Sequence, residues 1–249
     1  MRPTDKLWGR PESKRFFARS NFSKDSIFDF ETVMMPSIPF IVTLVILANV
    51  LVSLVGFKNP SFFSKYQFQV SKIKSGEQFR MWSAGFLHVD FNHLFVNMLS
   101  LYFFAGYVVA SIGDFKFLAL YLTSLYLGNY LSYRYHNKQD NYTAVGASGA
   151  VSGVVFSAVL LYPEMKMMLL FFPIPLPGYI LASLYLIYTI WGMKKQRDNI
   201  GHTAHFGGAV SGLLSTIAFV PNVVVDSGFT LSLLMGTLVV AALVLKRFG

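Results

Sequence analysis

The chain has 249 residues, 54% of them hydrophobic and only 13% charged, about half the charged share of a soluble globular domain, and its mean hydropathy is +0.50. That composition excludes an ordinary soluble enzyme, and 16% aromatics exclude a disordered chain. The net charge of +9 comes from basic residues scattered between apolar blocks, so no nucleic-acid surface is read, and the lack of cysteine excludes disulfides, thiolate metal sites and cysteine nucleophiles.

Residues 1–36 hold seven basic and five acidic residues without an apolar run long enough for a secretory signal, and are expected to form a cytoplasmic basic tail. Seven charge-free apolar blocks follow, at about 37–57, 92–112, 117–133, 144–162, 167–192, 203–220 and 228–245. Most approach the roughly 20 residues that a spanning helix needs. The predicted fold is therefore an all-α polytopic membrane bundle of seven spans, the last of them a C-terminal transmembrane helix at 228–245.

The loop 58–90 carries Phe62, Phe63, Phe79, Trp82 and Phe86 and is expected to lie, ordered, in the membrane interface. Pro173, Pro175 and Pro177 interrupt the fifth block, so its helix is predicted over 177–192. With the N-terminus inside, nine basic residues fall on the inner side and twelve on the outer, against the positive-inside rule. The basic tail before the first helix nevertheless favours that orientation. The expected location is the bacterial inner (cytoplasmic) membrane, with a cytoplasmic N-terminus.

Polar side chains in hydrocarbon are costly and usually face the bundle interior. His93, Asn97, Ser148 and His205 stand out, each also readable as packing glue between helices. Ser148 lies within Gly146-Ala147-Ser148-Gly149 at the start of the fourth block, where the first helical turn leaves backbone N–H donors free for an oxyanion. Gly149 and Gly153 form a small-residue stripe, and His205, Gly208 and Gly212 share a face of the sixth block. If the two glycine faces meet, the His205 imidazole can take the Ser148 proton. His93 and Asn97, at i and i+4, can donate to the developing oxyanion. No carboxylate lies inside a block to complete a triad, so a two-residue dyad is expected. His88, His93, His202 and His205 could gather, but without a buried carboxylate or a His-Glu-x-x-His run no metal site is predicted.

Taken together, His88-Val89-Asp90-Phe91-Asn92-His93-Leu94-Phe95-Val96-Asn97, Gly146-Ala147-Ser148-Gly149 and Ala204-His205-Phe206-Gly207-Gly208-Ala209-Val210-Ser211-Gly212 resemble the rhomboid family of intramembrane serine proteases. The resemblance spans about residues 37–220 and implies a six-helix core there, with 228–245 as an added seventh helix. It implies Ser148 as nucleophile, His205 as general base, and His93, Asn97 and the Ser148 N–H as oxyanion donors. Gly146 and Gly149 would shape the nucleophile turn, and Gly208 and Gly212 would bring the sixth helix close. Glu77-Gln78-Phe79-Arg80 resembles the family's Glu-x-Trp-Arg element with Phe79 for tryptophan, which makes Arg80 a structural clamp, and His88 belongs to the His-rich motif. Ser152 stands where family members often carry an aromatic ring packed on the catalytic histidine.

The implied activity is hydrolysis of peptide bonds in or near transmembrane segments of membrane-protein substrates, within the lipid bilayer and with no cofactor. The proline-interrupted fifth helix would be a lateral gate. One rival is a non-catalytic rhomboid-like protein that binds membrane clients; another is a proton-coupled transporter using His93 and His205.

Overall fold

In the computed structural model, residues 38–169, 172–195 and 201–248 are described, all within one compact unit covering 37–249. The expected basic tail at 1–36, and Arg197 and Asp198, lie outside the described residues.

Helix α1, Phe40–Lys58, buries Val42, Val45, Asn49, Ser53 and Gly56 along one face while Leu44, Leu47, Leu51 and Leu54 are exposed on the other. An outward face of leucines is what lipid selects, because outside the bundle there is no water to solvate a polar stripe. Inward, Asn49 Nδ2 donates to the Val45 carbonyl (2.8 Å) and to the Tyr121 hydroxyl (3.1 Å), so its amide is held in the core.

The loop that follows is ordered by three short helices, α2 (Pro60–Tyr66), α3 (Val70–Lys74) and α4 (Arg80–Ser83), and a 3₁₀ turn, Ala84–Phe86. Asn59 caps α2 by accepting from the Phe62 N–H, with Pro60 at the first helical position. Arg80 is buried and clamps the loop. It donates to the carbonyls of Ser64 and Gln67, both at 2.8 Å, and pairs with Glu77 at 2.7 Å. Trp82 stacks on Tyr126 of the next long helix.

That helix, α5, runs Phe91–Tyr135 but is broken at Gly113, whose φ of +77° only glycine adopts easily, so it comprises two spans. Asp90 caps it by accepting from the His93 N–H at 2.7 Å. Helix α6, Ser148–Leu161, is only 14 residues long and buried on nearly every side. The hydropathy block 144–162 begins four residues earlier, but Thr143–Ala144 forms strand β2, paired antiparallel with β1 (Phe68–Gln69) of the ordered loop. At 1.5 Å per residue α6 is about 21 Å long against a hydrocarbon layer of about 30 Å. Its first residue, Ser148, is thus set below one membrane surface if its other end reaches the opposite one.

The three alternate prolines lie in β4 (Phe172–Pro177), which pairs antiparallel with β3 (Lys166–Leu169) as a hairpin, and α7 starts directly after it at Gly178–Lys195. Then come α8 (His202–Phe219), the short α9 (Val223–Asp226) and α10 (Gly228–Phe248). The tightest packing is among α5, α6 and α8, while α7 lies against α8 and α10 and touches α6 less. Exposed Phe103, Leu184, Trp191, Leu214 and Val240 ring the bundle with apolar surface of the kind that lipid covers. The fold is a helical membrane bundle.

Candidate active site

Glycines set the distance between α6 and α8. A methyl group on Gly208 would collide with the Gly149 carbonyl, and one on Gly212 with that of Gly153. The helices therefore meet backbone to backbone, as small-residue stripes allow. The same interface sets the Gly149 α-carbon against the Ala204 carbonyl, where an added Cβ would lie at 3.2 Å. Gly149 and Ala204 are the immediate neighbours of Ser148 and His205, so the serine and histidine enter the site from adjoining positions. Both are half-buried. Among the described residues the Ser148 hydroxyl makes no hydrogen bond. Catalytic hydrogen bonds often tighten only when substrate binds.

On the other flank, Gly146 has φ +131° and no room for a side chain: a Cβ there would stand 2.6 Å from His93 Cε1, 2.9 Å from His93 Nε2 and 3.6 Å from Ser148 Oγ. The His93 ring edge and the Ser148 hydroxyl thus flank the same α-carbon. Asn97, one turn along, is buried and donates from Nδ2 to the His93 carbonyl at 3.1 Å, which leaves its second amide hydrogen. The first i→i−4 bond of α6 runs from the Val151 N–H to the Ala147 carbonyl, so the N–H groups of Ser148, Gly149 and Ala150 point past the helix start without helical partners. The His93 ring from α5 and the free N–H groups at the start of α6 therefore lie beside the serine, groups of the kind that stabilise an anion.

His88 ties the preceding loop in place. The Ser53 hydroxyl donates to the Phe86 carbonyl (3.0 Å), so His88 Nδ1–H donates to Ser53 Oγ (2.9 Å), and Nε2 is left to accept the Ala147 N–H at 3.4 Å. This chain of bonds requires the neutral ring. Burial, reinforced by His93 and partly opposed by Asp90, pushes the His88 pKa down to about 3. Between that value and the ordinary 6.5 the unfolded chain binds a proton that the folded one refuses, so stability falls as pH falls through this window. The expected result is a loss approaching about 1.4 kcal/mol per pH unit below pH 6, read by thermal unfolding in micelles, and a shallower dependence in His88→Gln. An unchanged slope in that variant would remove His88 as its source.

Tyr185 of α7 is a site residue that the sequence does not announce. Its ring stacks on His205, with centroids 6.0 Å apart and planes at 20°, and its hydroxyl is 3.0 Å from the Ser152 hydroxyl, one turn below Ser148. The only hint in the chain is Ser152 itself, a small polar residue that leaves room for a ring from elsewhere. His202, one turn before His205, lies edge-on to that ring, and Gly192 of α7 makes space for it.

Fold and site together define a polytopic helical membrane protein whose serine opens a short buried helix and whose histidine comes from the helix in backbone contact with it. The rhomboid domain matches residues 75–222, more than half of the chain, and the chain belongs to the rhomboid family. It is similar to the mitochondrial RHOMBOID-like protein 12 of Arabidopsis thaliana, at 28% identity over 61% of this chain and 50% of that protein. It is also similar to the mitochondrial Rhomboid protein 1 of Saccharomyces cerevisiae, at 29% identity over 53% of this chain and 39% of that protein. The mitochondrial presenilin-associated rhomboid-like protein of Homo sapiens is 30% identical over 53% of this chain and 36% of that protein. The matched part of the chain thus spans half or less of the length of these relatives.

These mitochondrial relatives overturn the expected bacterial inner membrane with a cytoplasmic N-terminus. Hydropathy reports the thickness of a bilayer, which does not identify its compartment, and the basic residues already ran against the sidedness assigned from the first helix.

Proposed function

We propose that this chain is an intramembrane serine endopeptidase that cuts peptide bonds in or near transmembrane segments through a Ser148–His205 dyad. The backbone contact of α6 with α8, which brings the neighbours of these two residues together at the start of α6, carries the reading. Ser148 Oγ attacks the scissile carbonyl as its proton passes to His205. The resulting oxyanion faces the Ser148 N–H, Asn97 and His93. His205 returns the proton to the leaving amine, and water then releases the acyl group from Ser148. A helical substrate hides its carbonyls in hydrogen bonds, so it must unwind at the cut, and small or helix-breaking residues there favour cleavage. The names of the relatives support a mitochondrial membrane as the setting.

A second reading, a non-catalytic protein that binds membrane clients, shares the same fold and family. A serine-directed fluorophosphonate separates the two. Covalent labelling that maps to Ser148 in the detergent-solubilised full chain is expected, because only an activated hydroxyl reacts. Intact wild-type protein that stays unlabelled would leave the client-binding reading in its place.

A further inference from the structure

We infer that Tyr185 is the residue that orients the His205 imidazole, so that the general base of α8 takes its alignment from a ring supplied by α7. The inference rests on the protease reading for its kinetic consequence and on the geometry for its structural one. The Tyr185 and His205 rings lie nearly parallel at a separation typical of offset stacking. Tyr185 is itself held at two further points, both on α6. Its hydroxyl meets Ser152 Oγ at 3.0 Å, and its ring packs against that of Phe156, a fully buried side chain, at 6.1 Å. Ser148, Ser152 and Phe156 follow one another at four-residue intervals, so the same face of α6 that presents the nucleophile also anchors the ring that braces the base. A histidine ring turns about two side-chain bonds, and only some of its rotamers aim a nitrogen at the serine. A flat neighbour pinned against it removes the alternatives. Ser152 is small enough to leave the ring its place and polar enough to hold its hydroxyl, which gives a physical reason for a serine on this apolar helix.

A misplacement of about 1 Å in a reacting group can cost on the order of 100-fold. Tyr185→Leu is therefore expected to slow fluorophosphonate labelling of Ser148 by about 10- to 100-fold and to lower kcat by the same factor with KM little changed. Tyr185→Phe keeps the ring and loses only the Ser152 contact, so labelling should stay within about 3-fold of wild type, because stacking depends on the ring.

A second readout needs no activity. The chain has five histidines, few enough for each ring signal to be assigned by mutation in a histidine-labelled NMR sample. The His205 ring protons should carry the ring-current displacement of a stacked neighbour in wild type and Tyr185→Phe, and lose it in Tyr185→Leu. That displacement present in a wild-type protein that does not label, and lost in Tyr185→Leu, would sink the protease reading while leaving the orientation intact. Tyr185→Leu with wild-type labelling and an unmoved His205 signal would overturn the inference. So would Tyr185→Phe as impaired as Tyr185→Leu, because the hydroxyl and not the ring would then be responsible.

Discussion

Ser148→Ala is expected to lower cleavage of a transmembrane substrate by on the order of 10⁴- to 10⁶-fold while leaving thermal unfolding essentially unchanged, since removing the nucleophile of a coupled pair forfeits nearly all of its effect. The fold should tolerate the change well. Ser148 is the first residue of α6, its hydroxyl makes no hydrogen bond among the described residues, and alanine is a better helix former. His205→Ala should cost nearly as much, and the double variant little more than either single one, because a nucleophile and its base act as a unit. Near-wild-type cleavage by folded Ser148→Ala would end the nucleophile assignment. Additive losses in the double variant would show that the two residues act independently.

The second large effect is expected at the α6–α8 contact. Gly208→Val and Gly212→Val place side chains where the Gly149 and Gly153 carbonyls already stand, and neither carbonyl can move without shifting the helix that begins with Ser148. Overpacking against side chains costs about 1–3 kcal/mol, and against backbone it should reach the upper end or exceed it. Each variant should unfold at markedly lower temperature and lose labelling at Ser148. Gly106→Ala and Gly236→Ala, with nothing within 4 Å of the added methyl, should be neutral or gain about 0.5–1 kcal/mol as helix interiors. Equal tolerance at all four positions would show that the close approach is unnecessary.

How much of this was legible in the sequence depends on how local each signal is. Charge-free apolar blocks foretell the spanning helices, because hydrocarbon tolerates few alternatives, and the gap between the second and third blocks coincides with the break at Gly113, next to Asp114 and Lys116. Glycine spacing on two helices foretells a close approach, and the two stripes do meet.

What depends on distant partners was hidden. The start of α6 moves inward by four residues because Phe68 and Gln69 pair with Ala144 and Thr143, a contact across more than seventy residues. The β3–β4 hairpin fills the first part of the fifth block, which Pro173, Pro175 and Pro177 mark as non-helical without saying what it forms. Tyr185 looks like any aromatic on a spanning helix, since nothing local says that its ring lies against a histidine from the next one. The expected compartment failed for a different reason, because apolar helices carry no address.

The brevity of α6 makes it a ruler. If its far end reaches the opposite membrane surface, its length of about 21 Å leaves Ser148 about 9 Å beneath the near one, so a substrate's cut would be measured from that surface as well as read from its side chains. Two substrates with the same residues around the bond but anchored a helical turn apart, about 5.4 Å, would then offer different bonds to the same hydroxyl. Specificity would then be partly a matter of depth.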